Sequence, residues 1–176
     1  MQHFKPFIVI GTGRSGTTTT AKILHEKLKV FMGNRFRGGH YEDLDFKDND
    51  DLFLSRKIDL CTWRICLADL IRKRQKEDRP WGFKNPRNAY LLDLYFEYFM
   101  SPNIIYCIRN KKQIVSSLMK NYGWAGEVAE TVYNERTQII EEVLEQTKLK
   151  HLILDFTEYL SEEYVINKIK NFFNLQ

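Results

Sequence analysis

Short apolar runs alternate with amphipathic stretches along the chain, and their spacing predicts the elements. Phe7-Ile8-Val9-Ile10 is continuously apolar and predicts a buried strand over 6–10. Ala21, Leu24 and Leu28 then recur at helical spacing and predict a helix over 16–28. An irregular polar region follows from about Gly33 to Asp51. Leu60, Trp63, Leu67 and Leu70 share one face of a helix over about 58–76, and Trp81 to Phe83 reads as a short strand. Asn88 to Phe99 is an aromatic-rich helix, and the β-branched run Ile104 to Ile108 is a central parallel strand. Asn110 caps the next helix, with Gln113 at the capping-box position and Ile114, Val115 and Leu118 on its apolar side. A long amphipathic helix over 126–147 carries Val128, Val132, Ile139 and Val143. Leu152 to Leu154 is a further buried strand, and Ser161 caps a last helix bearing Val165, Ile169 and Phe172.

Strands that alternate with helices form βαβ units around a parallel sheet covered on both faces. With no repeat, low-complexity tract or linker, residues 1–176 read as one domain, a three-layer α/β/α sandwich with a central parallel sheet. Ligands of such sheets sit beyond the C-terminal strand ends. Arg14, Lys84 and Arg109 follow predicted strands there, so three cations share one rim.

The chemistry concentrates in Gly11-Thr12-Gly13-Arg14-Ser15-Gly16-Thr17-Thr18, between the first strand and helix. A glycine-rich turn at that junction cradles an anion with backbone N–H groups and a helix N-terminus. Its spacing matches the P-loop pattern at both glycines and at Thr18, which makes the expected fold P-loop NTPase-like. Thr17 stands where a P-loop has lysine, and a cation appears earlier in the loop as Arg14.

Bulk properties narrow the classes. A chain of 176 residues with 43% hydrophobic content sustains one core and is not disordered. A net charge of +4 suits an anionic ligand and falls short of a nucleic-acid-binding stripe. Cys61, Cys66 and Cys107 lack paired spacing and read as reduced thiols of a cytoplasmic protein, Cys107 buried. His3, His25, His40 and His151 are scattered without ligand spacing, so no metal site is expected. The polar start Met1 to Pro6 shows no secretory leader, and no apolar stretch approaches the ~20 residues that span a bilayer, so a soluble protein without membrane attachment is expected.

Several segments resemble the sulfotransferases. Arg14-Ser15-Gly16-Thr17-Thr18 is similar to their 5′-phosphosulfate-binding loop. Arg109 at a strand end, with Ser117 eight residues on, resembles the family's 3′-phosphate motif. Phe83-Lys84-Asn85-Pro86-Arg87 resembles the Lys-Asp-Pro segment of several branches, including the tyrosyl-protein enzymes, whose lysine contacts the sulfuryl-transfer centre. Here Asn85 replaces the usual Asp. Leu154 to Leu160, followed by Ser161 and a helix ending Asn171-Phe172-Phe173, is similar to the family's closing strand and helix. Residues 30–63 match least, and the C-terminal Arg-Lys-Gly segment of the cytosolic aryl and steroid enzymes is missing.

The resemblance implies 3′-phosphoadenosine 5′-phosphosulfate (PAPS) as donor, leaving adenosine 3′,5′-bisphosphate, without a metal. Gly13, Arg14, Ser15, Gly16, Thr17, Thr18, Arg109 and Ser117 would hold the donor. Sulfuryl transfer builds negative charge on the leaving phosphate, so fixed cations aimed there stabilise the transition state, and Arg14 and Lys84 are the candidates. The acceptor hydroxyl needs a base. Glu42 in His40-Tyr41-Glu42-Asp43 is the first choice, with His40 its competitor on the same side if the segment is extended, and Asp43 a further option. The acidic residues that follow, Asp45, Asp48, Asp50 and Asp51, also fit a solvated loop. Among the aromatics, Trp63 and Trp81 read as core, while Tyr122 and Trp124 are pocket candidates.

Two other classes fit the loop. A nucleoside or small-molecule kinase using ATP and magnesium would explain it, and Leu152-Ile153-Leu154-Asp155 imitates a Walker B strand, but the lysine that reaches the β- and γ-phosphates is absent. A binding module that retains the nucleotide pocket without turnover is the third. The acceptor, whether carbohydrate, lipid, peptide or small molecule, and the oligomeric state are not encoded in any readable motif.

Overall fold

The computed structural model describes residues 4–33 and 39–175. Residues 34–38 of the expected irregular region, and His3, lie outside them. Four strands, β1 (Phe7–Ile10), β2 (Gly82–Lys84), β3 (Asn103–Ile108) and β4 (His151–Asp155), form one parallel sheet in the order β2-β1-β3-β4. Ile8 is level with Phe83 on one side and Ile104 on the other. The helices are α1 (Thr17–Glu26), α2 (Leu44–Leu54), α3 (Leu60–Gln75), α4 (Leu92–Phe96), α5 (Lys111–Tyr122), α6 (Gly126–Thr147) and α7 (Glu162–Phe173). This is the expected α/β/α architecture.

The continuous apolar runs are explained by burial on both faces. Phe7 and Val9 of β1 pack with Ala21, Leu24, Ile105, Cys107, Val165 and Ile169 under α1 and α7. Ile8 and Ile10 face the other way, into a cluster with Trp63, Phe83, Tyr95, Ile104 and Tyr106. β4 differs, because it is an edge strand. Leu152 and Leu154 are buried, but Ile153 is 51% exposed, so this run is only half covered.

Three helical expectations shift. Asn88 to Phe99 is not one helix but a 3₁₀ turn, Asn88–Leu91, running into α4. On α6 the buried positions are Ala129, Ile140 and Leu144, while Val128 is half exposed. One step around the helix separates the two readings, and the contact with α5, where Ala129 meets Ile114, Val115 and Leu118, selects the observed face. The largest departure is α2, which fills much of the expected irregular region. Asp43 caps it, accepting a hydrogen bond from the Asp45 N–H at 3.0 Å. Phe46, Asn49 and Asp50 lie on its buried face, and Phe46 stacks on Phe83 at 4.4 Å between ring centroids. The acidic run is therefore not a solvated loop. Arg74 of α3, 4% exposed, binds both Asp43 (2.8 Å) and Asp45 (2.9 Å) and makes burial of their side tolerable.

Among the described residues no helix is long and apolar enough to cross a membrane. Cys61 and Cys66 are exposed and Cys107 is buried, all three as free thiols. Burial pushes the Cys107 thiol up to about 12.

Candidate active site

The loop between β1 and α1 is shaped by two glycines. Gly16, at φ 99°, caps α1, and a Cβ there would sit 2.3 Å from the Phe156 ring. Gly11 lies so close to β3 that a Cβ would meet the Cys107 carbonyl oxygen at 2.5 Å. Ser15 is fully buried and donates its hydroxyl to the Thr12 carbonyl at 2.6 Å, closing the turn from within. No side chain caps the start of α1 and its first turn carries no acidic residue. Its free N–H groups and dipole therefore remain available to an anion.

Arg14 takes a left-handed backbone, φ 73°, which turns its side chain toward α5. Its Nε donates to the Ser117 hydroxyl at 2.9 Å, and Asn121 also donates to that hydroxyl at 3.2 Å. Arg109 follows β3. It donates from Nη1 to the Arg14 carbonyl at 3.4 Å and from Nε to Gln113 at 2.8 Å. Gln113 thus forms no capping box with Asn110. Its amide instead links Arg109 to the Thr157 carbonyl (3.3 Å), while Asn110 caps α5 alone. Arg14, Arg109 and Ser117 form one cationic corner.

Lys84 ends β2, the strand beside β1, and is only 2% exposed. Its Nζ donates to Thr18 Oγ1 (3.2 Å), to the His40 carbonyl (3.1 Å) and to Glu42 Oε1 (3.2 Å). Burial pulls its pKa below the ordinary lysine value, and the Glu42 carboxylate opposes that pull. The cation that position 17 lacks is supplied here from the neighbouring strand.

His40 and Glu42 separate. Tyr41 adopts φ 51°, so the segment between them is not extended and the same-side expectation fails. His40 is exposed and offers Lys84 its carbonyl, whereas Glu42 turns its carboxylate inward. Asp43, the other candidate base, is held by Arg74 and the cap of α2, and burial raises its pKa.

Asn85 has a structural reason that the sequence concealed. Its amide donates to Asp50 at 3.0 Å, and its carbonyl accepts from the Arg87 N–H at 3.0 Å. Asp50 is fully buried and also accepts from Tyr95 (2.7 Å) and Trp63 (3.2 Å). An aspartate at 85 would set two carboxylates against each other. Burial lifts the Asp50 carboxyl to about 6, outweighing these three donors. Because its folded pKa exceeds the unfolded value, its stabilising contribution is full below about pH 4 and is lost as pH rises through 6. Relative to Asp50→Asn, the wild-type unfolding free energy is expected to fall by on the order of 3 kcal/mol between pH 4 and pH 7. Denaturant titrations that show a pH-independent difference would refute this.

Three cavities meet around the loop. One of about 380 Å³ is lined by Arg14, Gly16, Thr17, Thr18, His40 and Arg109. A second, of about 320 Å³, shares Gly16 and Arg109 and continues along Phe156 to Leu160. The third, of about 260 Å³, holds Glu42, Asn85, Tyr122 and Trp124 on the far side of Gly13. Trp63 and Trp81 are fully buried in the core. His40 therefore belongs to the first cavity and Glu42 to the third. Among the described residues no His, Cys, Asp and Glu gather as a set of metal ligands.

The fold is that of sulfotransferase-like proteins. The sulfotransferase domain of the Synechococcus PCC 7002 olefin synthase superposes with a TM-score of 0.63 at 13% identity, covering all of this chain and 76% of that one. The sulfotransferase STF1 of Mycobacterium tuberculosis H37Rv gives a TM-score of 0.64 at 15% identity, covering 99% and 68% of the two chains. Comparisons with family models and with curated proteins find no match. The chain has a sulfotransferase-like fold.

Proposed function

We propose that this protein transfers a sulfuryl group from PAPS to a hydroxyl or amine of an acceptor. The observation that carries the reading is the Lys84 ammonium, buried against Thr18 of the loop and Glu42 of the third cavity. It links an anion cradle to a carboxylate across a single contact. The cavity with Arg14 and Arg109 has the size, the uncapped helix start and the cations that a phosphorylated nucleotide requires. Gly13, Ser15, Gly16, Thr17 and Thr18 would hold the 5′ end, Arg109 and Ser117 the 3′-phosphate, and the cavity along Phe156 the base. The bound donor supplies the sulfuryl group.

The residues act on either side of that group. Glu42 accepts the proton of the attacking hydroxyl. Lys84 and Arg14 stabilise the charge that grows on the departing phosphate, and the depressed pKa of Lys84 suits it to give up a proton as well. The kinase reading finds less support. Asp155 is tied to the Thr157 N–H at 2.8 Å, on a strand separated from β1 by β3.

Adenosine 3′,5′-bisphosphate without magnesium is expected to raise the melting temperature, because it binds the native state. Stabilisation only by ATP with magnesium would favour a kinase. Bisphosphate binding with no transfer of labelled sulfate across an acceptor panel would favour a binding module. Arg109→Ala is expected to weaken the bisphosphate by about ten- to a hundredfold and adenosine 5′-phosphate far less, since a charged hydrogen bond contributes about 1.5–3 kcal/mol. Calorimetry that shows equal losses for both would remove Arg109 from the 3′-phosphate.

A further inference from the structure

The third cavity carries more positive charge than a neutral acceptor requires. Three cations line it, Lys47, Arg87 and Arg136, against the single carboxylate Glu42, which Lys84 already engages. Lys47 and Arg87 share Asp51, Arg87 at 2.8 Å. Arg136 of α6 differs from both, because no carboxylate among the described residues forms an ion pair with it. Its guanidinium lies over the Tyr90 ring, 5.4 Å from the centroid, and Nε reaches the Tyr90 hydroxyl at 3.5 Å. The adjacent Glu135 does not neutralise it directly, since its carboxylate accepts that same hydroxyl at 3.1 Å.

The tip of Arg136 points toward the glycine-rich loop. Its Nη1 comes within 3.9 Å of the position a Cβ on Gly13 would occupy. Opposite stand Tyr122 and Trp124, rings 5.3 Å apart, which give the cavity an aromatic wall. A guanidinium with one edge on a ring and the other edge open presents donors suited to a planar or tetrahedral oxyanion. The cation–π contact with Tyr90 steadies the guanidinium at the cavity wall, and no carboxylate among the described residues competes with a ligand for it.

We infer that Arg136 binds an anionic group of the acceptor, so that the substrate is a small hydroxylated acid, with a carboxylate, phosphate or sulfate, whose ring or apolar body lies against Tyr122 and Trp124. This rests on the sulfotransferase reading for what happens to the hydroxyl, but anion binding in the cavity is separable from it. Glu42 would then face the hydroxyl and Arg136 the acid, and a neutral analogue would leave Arg136 without its ligand.

The test uses matched ligands that differ only in charge: phenol and sugar carboxylates, and their primary amides. Their binding is measured by calorimetry with and without adenosine 3′,5′-bisphosphate, on wild type, Arg136→Gln and Arg136→Lys. The acids are expected to bind wild type about tenfold or more tightly than the amides, with that preference lost in Arg136→Gln and partly kept in Arg136→Lys. The unliganded melting temperature reports that each variant is folded. Equal binding of acid and amide, a preference that survives Arg136→Gln, or no binding by any member at millimolar concentration overturns the inference. Failure of the bisphosphate to bind, with acid preference intact, overturns the sulfotransferase reading and leaves the anion site standing.

Discussion

Replacing Glu42 by Gln is expected to lower sulfuryl transfer by about a hundred- to ten-thousandfold, the range over which a positioned base contributes. The amide has the size of the carboxylate, and its carbonyl oxygen can still accept the Lys84 hydrogen bond now made at 3.2 Å. The cradle should therefore persist. With the negative charge gone, Lys84 has no competitor for a phosphate oxygen, so the affinity for adenosine 3′,5′-bisphosphate should hold or rise. Single-turnover transfer together with bisphosphate calorimetry decides the matter. Equal activity in the variant would take the base role from Glu42, and a parallel loss of bisphosphate binding would make the residue structural.

Lys84→Met is expected to cost transfer about a hundred- to a thousandfold, the loss typical when one fixed transition-state donor is removed. Methionine fills the buried channel, but Glu42, half-enclosed beside it, loses its cation. Lower thermal stability should accompany the loss of rate. Lys84→Arg separates charge from proton transfer, because an arginine stays charged and cannot serve as an acid. A rate in Lys84→Met within a few-fold of wild type would exclude this lysine from stabilising the leaving group, whatever happens to stability.

Much of the framework was legible in the chain because it depends on local pattern. The continuous apolar runs of β1 and β3 match strands buried on both faces, so both were readable, and the glycine spacing announced the loop. Arg109 was readable because it follows a strand in a parallel sheet, where strand ends share a rim. Elements governed by distant partners were not. The acidic stretch 43–51 reads as solvent-facing until Arg74, 31 residues beyond Asp43 and 29 beyond Asp45 in another helix, neutralises the buried side of α2. Asn85 looked like a departure from a motif, and becomes necessary only once Asp50 lies against it. Tyr41 carries no signal of its left-handed turn, yet that turn sends His40 and Glu42 into different cavities.

The sequence alone determined that a glycine-rich turn joins a buried strand to a helix, and that the P-loop lysine is missing from it. Local chain geometry decides both, since hydrophobic periodicity and glycine spacing act over a few residues. Only the tertiary structure decided where positive charge returns. Pairing β2 beside β1 carries Lys84 across 66 residues of sequence to Thr18, and the backbone of Arg14 sends that cation instead to Ser117. Strand order and backbone handedness depend on the whole packed sheet, which no local stretch of residues encodes.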